Sequence, residues 1–85
     1  MTELVFYSND GAEGGYVFHG DDEFLSVVAD AAEETLLLLN VDEDDDPEVY
    51  AVDRAAIINS ALLALRRGDT YLDQAGFTWK VESND

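Results

Sequence analysis

Carboxylates are the residues of this chain best placed to do chemistry. Asp and Glu make up 20 of 85 residues, against 4 Lys or Arg and a single His, for a formal net charge of −16. Such groups serve general acid–base catalysis, divalent-metal ligation, or imitation of a phosphate backbone. Acid–base work needs a buried carboxyl with a raised pKa, and a short chain with solvated acids offers little depth for one. His19 is the only candidate imidazole, and neither Ser8 nor Ser26 stands in a nucleophile motif such as G-x-S-x-G. Without Cys there is no thiolate nucleophile, disulfide or thiolate metal site. The sequence predicts no catalytic residues and no enzyme.

Metal ligation has one candidate. Asp42, Asp44 and Asp46 match the first, third and fifth ligands of an EF-hand loop, and Asp53 falls at its twelfth position. Pro47 stands where the turn requires Gly, however, and Asp53 replaces the bidentate Glu. Diffuse cation condensation is the expectation here, with no dedicated metal. The Gly-rich stretch Asn9-Asp10-Gly11-Ala12-Glu13-Gly14-Gly15 holds two acids and no Lys. It reads as a hairpin turn, since a phosphate cradle would not carry that charge. No cofactor is implied.

What remains is the charge field. Residues 1–53 hold 16 acids and no Lys or Arg; residues 54–85 hold 4 of each sign. Two unit charges about 10 Å apart in water repel by roughly 0.4 kcal/mol before screening. Summed over the amino-terminal part, that is a large share of a small domain's stability. Either concentrated salt screens it or the charge serves a cationic partner. Direct binding to nucleic acid or anionic membrane is excluded by the sign of the field.

The elements that must carry these acids are legible from periodicity. Glu3 to Ser8 and Tyr16 to His19 read as a hairpin, both strands apolar on both parities and so expected to be well covered. Gly14-Gly15 closes its loop. A helix follows, capped by Asp21 or Asp22, with Phe24, Val27, Val28, Ala31, Thr35 and Leu38 in one stripe. Leu25, Ala29, Ala32 and Leu36 widen that stripe. Glu23, Asp30, Glu33 and Glu34 share the opposite flank, where only Leu37 is apolar.

Asp42-Glu43-Asp44-Asp45-Asp46 is a solvated loop. Asp46-Pro47-Glu48 then reads as an N-cap, a first-turn Pro and an acid, opening a helix to Arg67 with Gly68 beyond it. Val49 to Val52 could instead form a short strand, with Asp53 as the cap. Read as one helix, the segment carries a stripe of Ala51, Ala55, Ile58, Leu62 and Leu65. A weaker stripe of Val49, Val52, Ala56 and Leu63 would face the core or a partner subunit. Thr70 to Leu72 and Phe77 to Glu82 flank Asp73-Gln74-Ala75-Gly76 as a closing hairpin. Phe77, Trp79 and Val81 point inward.

The order ββααββ predicts one domain over residues 1–85, an α+β fold with two helices on one face of a mostly antiparallel sheet. The apolar run Leu36–Leu39 is too short to span a bilayer. Met1-Thr2-Glu3 lacks the basic flank of a signal peptide, so a cytoplasmic protein without a membrane partner is expected.

Helix-borne carboxylates three or four positions apart stand about 5–6 Å from one another, a spacing comparable to that of phosphates along a strand. The predicted partner-binding surface comprises Asp21, Asp22, Glu23, Asp30, Glu33 and Glu34 with Asp42, Glu43, Asp44, Asp45 and Asp46. In size, acidity and pattern the chain is similar to phage-encoded DNA mimics of the anti-restriction and anti-CRISPR type, a similarity of composition rather than of motif. It implies an inhibitory protein that occupies the groove of a basic nucleic-acid-binding partner. The alternative is a salt-adapted domain of a halophilic archaeon, with a single Lys (Lys80), acting as a dimeric regulatory or accessory module.

Overall fold

A computed structural model describes residues 2–8, 11 and 13–83. The chain runs β1 (Thr2–Ser8), β2 (Glu13–Phe18), α1 (Gly20–Leu38), α2 (Pro47–Arg66), β3 (Tyr71–Leu72) and β4 (Phe77–Ser83). The four strands form one sheet in the order β2-β1-β4-β3, with every neighbouring pair antiparallel. This is the α+β arrangement expected from the sequence. Among the described residues, no helix is long and apolar enough to cross a membrane.

Alternation divides the sheet into two faces. Leu4, Phe6, Tyr16, Phe18, Phe77, Trp79 and Val81 point to the helices, and the core gathers there with Phe24, Val28, Ala32, Leu36, Ile57, Ala61 and Leu65. Burying each large side chain contributes about 1.5–3 kcal/mol. The opposite face is open, contrary to the expected cover on both sides. Val5 is still only 4% exposed, hemmed in by its partners Gly15 and Lys80. Around it the Tyr7 hydroxyl donates to Glu82 at 2.8 Å and Lys80 pairs with Glu82 at 3.8 Å.

Several local expectations shift. The Asn9-Asp10 turn lies outside the described residues. Gly14 and Gly15 belong to β2 instead of closing a loop, paired with Phe6 and Val5. At Gly15 an added Cβ would sit 2.8 Å from the Glu3 carboxylate and 3.1 Å from the Leu4 carbonyl oxygen. The N-cap of α1 is His19, not Asp21 or Asp22. Gly20, at φ +85°, lets the chain leave β2 and enter the helix at once. The Glu23 carboxylate then accepts from the His19 amide at 2.6 Å.

α2 is one continuous helix, so Val49–Val52 is not a strand. Asp46 caps it, accepting from the Val49 amide at 3.2 Å, with Pro47 behind. Both helices end in Schellman turns: Val41 N–H donates to Leu36 O (2.9 Å) across Asn40, and Asp69 N–H to Ala64 O (3.0 Å) across Gly68. The buried side of α2 is rotated from the expected stripe. Ile57, Ala61 and Leu65 are buried, while Ala51 and Ala55 face solvent with the weaker stripe. Val52 and Leu63 are 67% and 64% exposed. On α1, Leu25 and Leu38 are likewise exposed instead of buried.

Among the described residues two polar side chains are buried, Thr35 and Asp73, and they bond to each other. Asp73, 6% exposed, accepts from Trp79 Nε1 (2.7 Å), the Ala75 and Phe77 amides (2.9 Å each) and the Thr35 hydroxyl (3.2 Å). Thr35 is also 3.1 Å from the Ala31 carbonyl and shares its single proton between the two acceptors. The carboxylate thus shapes the β3–β4 turn, fixes the Trp79 ring and ties α1 to the hairpin. Asp73→Ala strands these donors and is expected to cost on the order of 3 kcal/mol. That is a large fraction of the stability of so small a domain. Urea unfolding should show a lowered midpoint with an unchanged slope; an unmoved midpoint would show that the network contributes nothing.

Candidate functional site

α1 and the loop after it bring distant acids together. At about 100° per residue, Glu23, Asp30 and Leu37 share one row of α1, with Glu33 and Glu34 on either side of it. The Schellman turn at Asn40 swings the chain back over the end of that row. Asp42 then organises the loop. Its carboxylate accepts from the Asp44 amide (2.9 Å), and its carbonyl lies 3.2 Å from the Asp45 amide and 3.3 Å from that of Asp46.

The result is a depression of about 700 Å³ rimmed by Asp30, Glu33 and Glu34 of the helix and Asp42, Glu43 and Asp45 of the loop. Every one of these six side chains is exposed. Leu37, 68% exposed, sits among them as expected.

The remaining predicted residues occupy other positions. Asp22 and Glu23 continue the helical row, about 10 Å from Asp30 along the axis, and Glu23 is engaged with the His19 amide. Asp21 falls on the other side of α1 from Asp30, about 180° away. Asp44 is exposed in the loop but does not rim the depression, and Asp46 is committed to capping α2. Of the loop acids, Asp42 serves as a turn acceptor and Asp46 as a cap, and among the described residues no group of three or more His, Cys, Asp or Glu is arranged to hold a metal ion.

Sequence reading missed two features of this site. Arg54, the first base of the chain, reaches back from α2 to Glu33, with Nε–Oε1 at 3.1 Å. Both ends are partly exposed, at 37% and 48%, so the pair contributes little to stability, yet it balances one of the six rim carboxylates. Two tyrosines, Tyr16 of β2 and Tyr50 of α2, also line the depression. Aromatic alternation hinted at Tyr16, but the sequence gives no sign that it lies against α1.

Burial, then the charges of Glu34 and Asp30, raises the Tyr16 pKa above its ordinary value. Burial and the charge of Asp73 do the same for Tyr71. A phenol held protonated more tightly in the fold contributes stability below the unfolded value of about 10 and loses it as pH rises through the folded value. In an ultraviolet absorbance titration, Tyr16→Phe should therefore remove one late-ionising phenol. Replacing Asp30 and Glu34 with Asn and Gln should bring that ionisation to lower pH; an unchanged curve would place the two carboxylates away from the ring. Compared with known protein families, curated proteins and solved structures, the chain matches none.

Proposed function

We propose that this chain is a non-enzymatic inhibitory protein of the cytoplasm, in the manner of anti-CRISPR or anti-restriction DNA mimics. Its acidic surface stands in for nucleic-acid charge and blocks a basic nucleic-acid-binding partner. The observation that carries the reading is the convergence of six exposed carboxylates, from two separate segments, around one depression, with Arg54 on Glu33 the one ion pair to them among the described residues. Carboxylates at that density attract a cationic groove as phosphates do, steering encounter and favouring that partner over neutral surfaces. The row running back through Glu23 and Asp22 lengthens the field along α1.

A salt-adapted domain would be acidic all round. Against that alternative, the solvent face of α2 presents Val49, Val52, Ala55, Ala56 and Leu63, with Glu48 of the first turn as its exposed carboxylate.

Two measurements test the proposal. In dilute buffer the chain should be folded by circular dichroism, whereas a salt-adapted domain would unfold below molar salt. The chain used as bait should capture basic proteins that duplex DNA competes away. Their association rate should fall roughly ten- to a thousandfold as salt screens the field. Reversing Asp30, Glu43 and Asp45 to Lys should abolish the capture while the unfolding midpoint holds or rises. Capture that survives the triple reversal, or that DNA does not displace, contradicts the proposal.

A further inference from the structure

A second cavity, of about 510 Å³, lies between α1 and the β2 side of the sheet, within the size range of small-ligand sites. Aromatic rings form its walls. Phe6 meets Tyr16 edge-on at 5.6 Å and Trp79 edge-on at 5.4 Å, and Phe77 lines the cavity beside them. Gly14 keeps it open. Paired with Phe6, it stands in the row that faces the helices, and a Cβ added there would meet nothing within 4 Å. Any larger residue would project into the space.

The charges of the lining are all of one sign. Glu34 stands at the rim and Asp73 at the inner wall, and among the described residues no Lys or Arg lines the cavity. Asp73 is hydrogen-bonded throughout, yet among the described residues no base pairs with it. A buried carboxylate without a counter-charge favours any cation that can approach it. The cation must tolerate an apolar, aromatic wall. A guanidinium meets that condition better than an ammonium, because it is weakly hydrated, stacks flat on aromatic rings and offers a planar fork to the exposed Glu34 carboxylate. Asp73, its oxygens already taken by donors, contributes charge alone.

We propose that this cavity is a binding site for an alkylguanidinium cation, whose plane stacks on the aromatic walls and whose charge is balanced by Glu34 and Asp73. The site does not rest on the mimicry reading, because its aromatic walls and Gly14 lie outside the six-carboxylate rim apart from the shared Tyr16 and Glu34.

A chain of net charge −16 gathers every cation loosely, so the test must separate the site from that atmosphere. The full chain is titrated at fixed ionic strength with n-butylguanidinium, and with n-butylurea as the neutral isostere. The Trp79 indole N–H resonance, bonded to Asp73 at 2.7 Å, reports on the cavity. The expected result is a saturable shift with the cation at least about tenfold tighter than the urea. Gly14→Leu should remove it while amide spectrum and unfolding midpoint persist, and Glu34→Gln should weaken it. Reversal of Asp30, Glu43 and Asp45 should leave it in place.

Acetyl-Gly-Arg-Gly-amide tells the two sources of the group apart. Binding equal to the free cation assigns the site to an arginine of a protein; rejection of the peptide assigns it to a small guanidine. Both are forms of the proposal. A shift that never saturates, equal binding of urea and cation, or full binding in a folded Gly14→Leu chain would overturn it.

Discussion

The carboxylate of Asp73 is the polar joint between the acid-bearing helix and the sheet. Its four donors come from α1, the β3–β4 turn and β4, so one group sets the turn, the Trp79 rotamer and the seat of α1 together. A buried anion is costly unless every lone pair is satisfied. Here the donors are two amides held by the turn, an indole on the central part of the sheet and a hydroxyl on the facing helix. If the carboxylate moves, all four donors lose their acceptor together. The position of Glu33 and Glu34, two and one residues before Thr35, follows from that anchoring.

The fold resolves the electrostatic problem by division. β3, β4 and most of α2 are near neutral and supply much of the core, including Trp79, Ile57, Ala61 and Leu65. α1 and the loop carry repelling charge outward, away from that core, where water and counter-ions screen it. Four aromatic rings, Tyr16, Phe6, Trp79 and Tyr71, meet in sequence across the four strands, each contact edge-on at 5.0–5.6 Å. Edge-to-face packing of this kind adds about 0.5–1.5 kcal/mol per pair beyond burial. It stiffens the sheet under the helix that bears the charge. The mimicry reading needs that rigidity, since carboxylates on a mobile helix would not hold a spacing to imitate.

Much of this was legible in the residues because local chemistry decided it. Alternation in Phe77, Trp79 and Val81, the Asp46-Pro47 cap and Leu37 among acids all carry direct physical meaning. The rest depends on contacts that one sequence does not display. Asp73 followed by Gln-Ala-Gly reads as a turn whether the carboxylate faces water or a core, and only Thr35, 38 positions away, makes it a buried hub. The pairing of Arg54 with Glu33 spans 21 residues. The phase of α2 was misjudged because its apolar residues surround the helix, leaving Ala51 and Ile57 equally able to face inward. Among the acids, the helical row was predictable, whereas the fold of the loop onto its end was not. It depends on Asn40 at φ +60°, a conformation that Asn tolerates but does not announce.

The central claim is that the depression between α1 and the acidic loop is where a cationic macromolecule docks. Amide chemical-shift mapping of the isotope-labelled chain, titrated with a basic nucleic-acid-binding domain at moderate salt, addresses it most directly. The account predicts perturbations concentrated on residues 30–45 with Tyr16 and Tyr50, fading as salt rises. Perturbations spread evenly over the surface, or centred on the exposed apolar face of α2, would contradict it.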